Sequence, residues 1–206
     1  MADRKPWTPG DVVDVSGPAA LLRNYLEQRD VRDYLTRAAA TTPIVRAYDL
    51  GCGFGRLTPV LSEQAETVIG FEREASLVAT ARQLLPSLEF MQVDTLERLP
   101  VGDASAQFVL TFTVLQHMPD ARAEAVIREI ARVLAPGAHV LAVEETDAQL
   151  EAGDAANADL GYTRGRPWSW YAARLEPLRL VRMSPREIEP GYARSDVGTY
   201  MLFGPA

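Results

Sequence analysis

Acidic side chains end four of the five short apolar runs that alternate with helical patterns along this chain. These acids are Asp49, Glu72, Asp94 and the adjacent pair Glu144 and Glu145. Ligands of open parallel sheets bind outside the carboxyl ends of the strands. Polar residues gathered at those ends therefore predict one ligand site. Carboxylates accept hydrogen bonds from hydroxyl, amino and ammonium groups, which favours a ligand with positive charge and ribose hydroxyls.

A glycine-rich turn directly follows the first acid, in the order Asp49-Leu50-Gly51-Cys52-Gly53-Phe54-Gly55-Arg56. Glycine lets a backbone approach a ligand where a Cβ would collide. The pattern is D-x-G-x-G-x-G and differs from the dinucleotide fingerprint G-x-G-x-x-G, because Arg56 stands where the last glycine would be. Glu72 follows Gly55 by 17 residues, at the end of the next apolar run. A carboxylate there accepts from both ribose hydroxyls and repels a 2′-phosphate.

The elements that position these residues are predicted from apolar runs and helical spacing. Strands are expected over residues 44–50, 67–71, 88–93, 106–113 and 138–144, and helices over 18–40, 56–66, 74–85 and 121–134. Such alternation predicts an α/β fold with a doubly wound, mostly parallel, seven-stranded sheet. A short helix over 168–175 and an antiparallel hairpin from strands 178–183 and 199–203 complete it. We expect an irregular arm and helical cap over 1–40 and one compact domain over 41–206.

Composition and charge exclude several classes of protein. The chain has 206 residues, of which 47% are hydrophobic, and this is enough for one domain with its own core. The net charge of −7 and the lack of a basic cluster argue against nucleic acid as a partner. No apolar run is long enough to span a membrane and no signal peptide is recognisable, so we expect a cytoplasmic protein. The single cysteine, Cys52, excludes an internal disulfide and most cysteine-based zinc sites, and we expect no metal.

Five segments together resemble the class I S-adenosylmethionine-dependent methyltransferases, of the type that modifies small molecules. They cover about residues 44–145 in the family's order: YDLGCGFGRLT at 48–58, GFERE around Glu72, MQVDTLERLP around Asp94, FVLTFTVLQHMPD at 108–120 and EIARVLAPGAHVLAVEE at 129–145. The resemblance implies S-adenosyl-L-methionine as the cofactor. It says little about the methyl acceptor.

The resemblance also implies a role for each matching residue. Gly51 and Gly53 would lie against the methionine and ribose, and Asp49 would orient the turn and the cofactor's ammonium group. Glu72 would hold the ribose. Asp94 would accept a hydrogen bond from the adenine amino group, and the backbone amide of Thr95 would meet an adenine ring nitrogen. Thr113 would present its backbone near the methionine. Arg23 and, less favourably, Arg56 are candidates for the methionine carboxylate, and for both the favoured alternative is a solvated surface arginine.

Two residues are candidates for acid–base chemistry at the acceptor. His117 follows the fourth strand at its carboxyl end, and Glu144 ends the fifth strand. A hydroxyl acceptor usually needs a base, whereas an unprotonated amine does not. For His117 the alternative is shaping the cofactor pocket, and for Glu144 it is an ordinary polar strand end. His139 is expected to be structural because it begins the fifth strand, away from the ligand edge.

Acceptor specificity is expected to come from residues 1–40 and 146–175. The second segment includes Trp168, Trp170 and Tyr171 beside Arg164 and Arg166. These residues could line an apolar pocket with an anion-binding rim, or the aromatic side chains could pack on the sheet beside solvated arginines. Residues 145–163 are acidic and Ala-rich, and they predict either a helical cap or a lid.

The leading hypothesis is an enzyme that methylates an O or N atom of a small metabolite. Thr113-Val114-Leu115-Gln116 stands where an Asn-Pro-Pro-aromatic sequence would indicate methylation of adenine bases or glutamine amides. Three alternatives stay open: a non-catalytic S-adenosylmethionine-binding scaffold, a nucleic-acid methyltransferase with a basic partner, and other chemistry on the same cofactor. The expected partner is a small-molecule acceptor, not a nucleic acid or a membrane, and a homodimer is compatible with the sequence.

Overall fold

The computed structural model describes residues 8, 10, 17–153, 155, 161–186 and 198–205. The irregular arm expected at the beginning of the chain lies almost entirely outside these residues. None of the helices formed by the described residues is both long and apolar enough to cross a bilayer.

A seven-stranded sheet forms the centre of the molecule. Its strands are β1 (Ile44–Leu50), β2 (Ala65–Glu72), β3 (Glu89–Gln92), β4 (Ala106–Phe112), β5 (Leu134–Glu144), β8 (Arg179–Pro185) and β9 (Thr199–Gly204). They lie in the order β3-β2-β1-β4-β5-β9-β8. Strands β1 to β5 pair in parallel, and β9 pairs antiparallel with both β5 and β8. The predicted fold class and its antiparallel C-terminal hairpin are therefore confirmed.

Helices cover both faces of this sheet. They are α1 (Gly17–Ala39), α2 (Thr58–Leu61), α3 (Ala75–Leu84), α4 (Asp120–Val133) and α5 (Trp168–Arg174). On one face α1 and α2 pack through side chains such as Val31, Leu35 and Leu61. On the other, α4 and α5 pack through side chains such as Ile127 and Tyr171. Their apolar contacts hold the strands in one register and so fix the carboxyl edge of β1 to β5.

The helix expected over residues 56–66 was wrong in its extent. The glycine turn continues to Leu57, and α2 is a single turn that begins at Thr58 with a proline in its first turn and ends at Leu61. Ala65 already pairs with Ile44 as the first residue of β2. Since β2 must run beside the whole of β1, the chain has room for only one helical turn between them.

The segment predicted as a helical cap or a lid, residues 145–163, forms no helix over residues 145–153 and 161–163. Residues Glu151–Ala152 form β6 and pair antiparallel with Thr163–Arg164, which form β7. Before them, the backbone amide of Asp147 donates to the carboxylate of Glu145 at 2.8 Å. The helical-cap alternative is thus not found in residues 145–153 and 161–163, and a lid stays a prediction.

Candidate functional site

The glycine turn between β1 and α2 needs a backbone that only glycine adopts easily. Gly51 has φ +69° and Gly55 has φ +83°. A Cβ at Gly51 would lie 2.6 Å from Cγ2 of Val114, in the loop after β4. The amide of Gly51 donates to the carbonyl of Phe71 at 2.8 Å, which holds the turn against the end of β2. The loops that follow β1 and β4 therefore approach so closely that no side chain fits between them.

Glu72 fastens this turn from the neighbouring strand. Its Oε2 accepts a hydrogen bond from the amide of Gly53 at 3.0 Å. Its Oε1 accepts from the amides of Arg73 and Glu74 at 2.7 and 3.0 Å. The carboxylate is thus held in place by three backbone amides at the carboxyl end of β2. Each of its oxygens keeps acceptor capacity for a ligand.

Asp49 is a buried carboxyl group beside the turn. Only 3% of the residue is exposed, and its Oδ2 accepts from the hydroxyl of Thr58 at 2.7 Å. Burial raises the pKa of Asp49 to about 6, against the opposing effects of the Thr58 hydrogen bond and the charge of Arg56. A buried acid that ionises near neutral pH is suited to receive a cationic group, because a bound cation compensates its charge.

A cleft that is partly open to solvent lies beside Asp49 and the glycine turn. It collects three of the predicted site residues, together with both arginines proposed for the methionine carboxylate. Its lining comprises Arg23, Asp49, Gly51, Cys52, Phe54, Arg56, Leu57, Phe112 and Thr113. The thiol of Cys52 is buried, and burial raises its pKa, as expected for a packing residue rather than a nucleophile.

Thr113 has a strained backbone conformation at the end of β4. Its φ is +54°, in the left-handed region that a β-branched residue rarely adopts. Its amide donates to the carbonyl of Val143 at 2.7 Å, so pairing with β5 supports this conformation. Backbone strain of this kind is concentrated at binding sites. No sequence pattern indicated this strain.

Glu144 lies beneath the loop after β4 and is fully buried. Its Oε2 accepts from the amides of Val114 and Gln116, each at 3.1 Å. Burial raises its pKa, and the backbone hydrogen bonds oppose that effect. This geometry makes Glu144 a positioning residue for the loop that touches Gly51. Its direct acid–base role stays a prediction.

His117 lies outside the cleft lining, in a single 3₁₀ turn formed by Leu115–His117. Its Nδ1 is 2.8 Å from the carbonyl oxygen of Tyr162. A carbonyl only accepts, so Nδ1 donates this hydrogen bond, while Nε2 lies 3.4 Å from the side-chain amide nitrogen of Gln116. The ring is exposed beside β7. A catalytic or pocket-shaping role for His117 stays a prediction.

The residues proposed for adenine lie further along the same strand edge. Asp94 is exposed and follows β3, and Thr95 is partly buried with its hydroxyl accepting from the amide of Glu97 at 3.1 Å. In the sheet, β3 and β2 are neighbours, so Asp94 lies on the Glu72 side of the turn. Asp49, Glu72 and Asp94 thus lie at the carboxyl ends of three adjacent strands, β1, β2 and β3.

Much of the aromatic segment at 162–171 packs into the fold, whereas Trp168 is exposed. Tyr171 is fully buried, and Trp170 packs between the guanidinium groups of Arg166 and Arg174, 4.8 and 4.0 Å from its ring centroid. Arg166 is also buried and donates to the carbonyls of Leu115 and Met118. The packing interpretation of Trp170 is confirmed. Arg166, in contrast, is buried and hydrogen-bonded to the loop after β4, and it is not a solvated residue.

His139 is buried in the middle of β5, opposite Phe108 of β4, and burial lowers its pKa. Its Nε2 lies 3.3 Å from the hydroxyl of Thr41. The prediction of a structural histidine therefore agrees with its position. Among the described residues, no His, Cys, Asp and Glu side chains form a group that could hold a metal ion.

Several known proteins that are similar to this chain are methyltransferases. Residues 47–137 match the family model described as a methyltransferase domain. A trans-aconitate 2-methyltransferase of Azoarcus sp. (strain BH72) is 35% identical over 122 residues, which cover 56% of this chain and 44% of that relative. The chain therefore matches less than half the length of this curated relative.

Solved structures share the fold at low sequence identity. The N-methyltransferase NodS from Bradyrhizobium japonicum WM9, in complex with S-adenosyl-L-homocysteine, has a TM-score of 0.64 and 17% identity, with 86% of each chain covered. A Pyrococcus horikoshii OT3 protein has a TM-score of 0.70 and 13% identity, with 96% of each chain covered. Together, these comparisons show that residues 47–137 of this chain resemble a methyltransferase domain and that the chain shares the fold of NodS.

Proposed function

We propose that this protein transfers a methyl group from S-adenosylmethionine to an O or N atom of a small metabolite. The observation that carries the proposal is the glycine turn, whose backbone is fastened by Glu72 beside the buried carboxyl group of Asp49. A Cβ at Gly51 would overlap the side chain of Val114, so this glycine is needed for the close packing of the turn against the loop after β4. When bound, the cofactor supplies a methyl group on a positively charged sulfur.

The residues present fit this cofactor. Asp49 suits the methionine ammonium group, because an approaching cation stabilises its ionised form. Glu72 has acceptor capacity left for ribose hydroxyls, and Gly51 lines the cleft in which the nucleoside would lie. Asp94 and the amide of Thr95 would meet the adenine, and Thr113 would present backbone to the methionine. One of Arg23 and Arg56, which both line the cleft, supplies the cation for the methionine carboxylate.

A small acceptor is supported by two observations. The net charge of −7 opposes nucleic-acid binding. The relatives named trans-aconitate 2-methyltransferase carry a small organic acid in their names. Positioning of the acceptor in this cleft would account for much of the rate enhancement, since the sulfonium already activates the methyl group.

Isothermal titration calorimetry with S-adenosylhomocysteine tests the cofactor half of this proposal. We expect binding by the wild type and a loss of about 10–100-fold in affinity for Glu72→Ala, because several charge-assisted hydrogen bonds disappear. Glu66→Ala is the matched control, since Glu66 is exposed at the opposite end of the same strand, and its affinity should be unchanged. Absence of wild-type binding would contradict the proposal.

The acceptor half needs a separate experiment. The protein is incubated with methyl-labelled cofactor and a metabolite extract, and the labelled product is identified by mass spectrometry. We expect the label in a small molecule. Label found only in RNA or protein would contradict the small-acceptor proposal while leaving cofactor binding intact.

A further inference from the structure

Two arginines from different elements reach the same cleft. Arg23 is on α1 and Arg56 is at the end of the glycine turn, and both line the cleft beside Phe112. The side chain of Arg23 is 33% exposed and that of Arg56 is 15% exposed. The guanidinium of Arg56 lies over the ring of Phe112, 5.3 Å from its centroid, which holds it against the cleft wall.

These two arginines share a single buried carboxylate. Glu27 pairs with Arg23 at 2.8 Å and with Arg56 at 2.5 Å, and only 2% of its side chain is exposed. The same carboxylate also pairs with Arg186, at the end of β8. One negative charge divided among three guanidinium groups leaves Arg23 and Arg56 incompletely neutralised. Their remaining charge lies at the cleft.

Both guanidinium groups also have donors without partners in the part of the chain that the structure describes. Arg23 uses its Nε toward Glu27, and neither of its terminal nitrogens makes a hydrogen bond. Arg56 uses Nη1 toward Asn24 and Glu27, and its Nε and Nη2 make none. Planar guanidinium edges of this kind match the two oxygens of a carboxylate.

The charges of a single bound cofactor do not balance the positive charges of both arginines. Its methionine part has a single carboxylate, and it also carries an ammonium group and a sulfonium. Guanidinium groups repel those two cations. Asp49 compensates the ammonium group, but no further described acid lines the cleft to compensate the sulfonium. A second anion near Arg23 and Arg56 would complete the balance.

We propose that Arg23 and Arg56 together bind two carboxylates, one on the cofactor and one on the methyl acceptor, so that the acceptor is an organic acid. This inference rests on the proposed function and adds the chemical class of the acceptor. An acid in this position supplies both the recognised group and the charge that offsets the sulfonium. A neutral acceptor would leave one guanidinium edge and one positive charge without a partner.

Calorimetry on the protein saturated with S-adenosylhomocysteine tests this inference. The probes are trans-aconitate, malonate and benzoate, each compared with its neutral amide. We expect at least one carboxylate to bind at least tenfold more tightly than its amide. We further expect either Arg23→Gln or Arg56→Gln to lower that affinity at least tenfold while S-adenosylhomocysteine affinity changes less than threefold. The other variant is expected to weaken the cofactor analogue.

Controls separate this inference from the proposed function and from misfolding. Arg29→Gln changes an exposed arginine of α1 that pairs with Asp30, and it should alter neither affinity. Thermal unfolding of each variant shows whether it is folded, and Arg23→Lys and Arg56→Lys keep the charge without the planar fork. If S-adenosylhomocysteine binds but no carboxylate exceeds its amide, or if both variants weaken only the cofactor analogue, the inference is wrong. If S-adenosylhomocysteine itself does not bind, the proposed function fails first.

Discussion

Asp49 combines a position suited to a cationic ligand with a cost to the free protein. Its carboxyl group is buried, and burial raises its pKa from an ordinary value near 3.8 to about 6. The unfolded chain therefore loses this proton at lower pH than the folded protein. As pH rises from about 4 to about 6, the folded state becomes less stable through this group, and above about 6 the full cost is present.

Asp49→Asn should therefore stabilise the free protein and weaken the cofactor site. We expect the free energy of unfolding at pH 8 to rise by about 3 kcal/mol, from the difference between the two pKa values. The gain should vanish near pH 4, where the wild-type carboxyl group is protonated in the folded state. S-adenosylhomocysteine affinity should fall at least tenfold. Urea denaturation at both pH values and calorimetry at pH 8 measure these effects.

Asp94→Asn is the matched control for this prediction, because Asp94 is an exposed acid on the same strand edge. The Asp94→Asn variant should not show the gain in the free energy of unfolding at pH 8 that is expected for Asp49→Asn. A variant at Asp49 that is equally destabilised at both pH values would show that the Thr58 hydrogen bond, and not buried charge, governs this position.

At the scale of elements, the sequence patterns located the strands well because each strand is a short apolar run. The glycine turn was found because three glycines follow a strand-ending acid. The prediction of a helix over residues 56–66 was wrong because the apolar residues in this range also belong to the turn and to the start of β2. The shared pairing of Glu27 with Arg186 was missed, since 159 positions separate these residues and only the folded sheet brings them together.

The approach of the glycine turn to the loop after β4 gives a prediction about both elements. Gly51→Ala adds a Cβ 2.6 Å from Val114 Cγ2 at a φ of +69°, so strain and overlap act together. We expect a loss of about 1–3 kcal/mol in the free energy of unfolding and a loss of S-adenosylhomocysteine binding. Chemical denaturation and calorimetry measure these quantities.

A second substitution distinguishes overlap from strain. Val114→Ala in the Gly51→Ala background removes the overlapping methyl groups, so part of the stability should return while the strain at φ +69° remains. Gly102→Ala adds a Cβ where no atom lies within 4 Å and should be nearly neutral. Equal losses at Gly51 and Gly102 would contradict the close approach of the two loops.

Across the whole molecule, the buried Glu27 cluster joins parts of the chain that lie far apart in sequence. It connects α1, the glycine turn and the end of β8. Nearby, the hydroxyl of Tyr34 in α1 lies 2.7 Å from that of Ser184 in β8, and Tyr34 stacks on Tyr200 of β9. Helix α1 is therefore an integral layer of the fold, packed on the sheet and ion-paired to its edge.

Glu27→Gln tests how much this cluster contributes to global stability. Burial alone would raise the pKa of Glu27, but the charges of Arg56, Arg186 and Arg23 outweigh it and lower the pKa below its ordinary value. The stabilisation is thus present above about pH 4.5 and is lost as pH falls through the lowered pKa. We expect a loss of about 3–5 kcal/mol at pH 7, because the buried guanidinium of Arg186 and the largely buried one of Arg56 lose their charged partner.

Unfolding by urea at pH 7 and at successively lower pH measures this effect. The difference between the variant and the wild type should shrink as the pH falls. Glu63→Gln is the control, since Glu63 pairs with Arg32 at 2.5 Å on an exposed surface, where such pairs contribute little. A loss for Glu27→Gln no larger than for Glu63→Gln would contradict a stabilising cluster.

The three backbone amides that hold Glu72 have a consequence for recognition itself. Because this carboxylate already bonds Gly53, Arg73 and Glu74, the turn has its binding shape before any nucleoside arrives. The entropy of ordering the turn is therefore lost during folding and not during association. Hydrogen exchange at the Gly53 amide should accordingly be slow in the free protein, with little further slowing when the nucleoside is present.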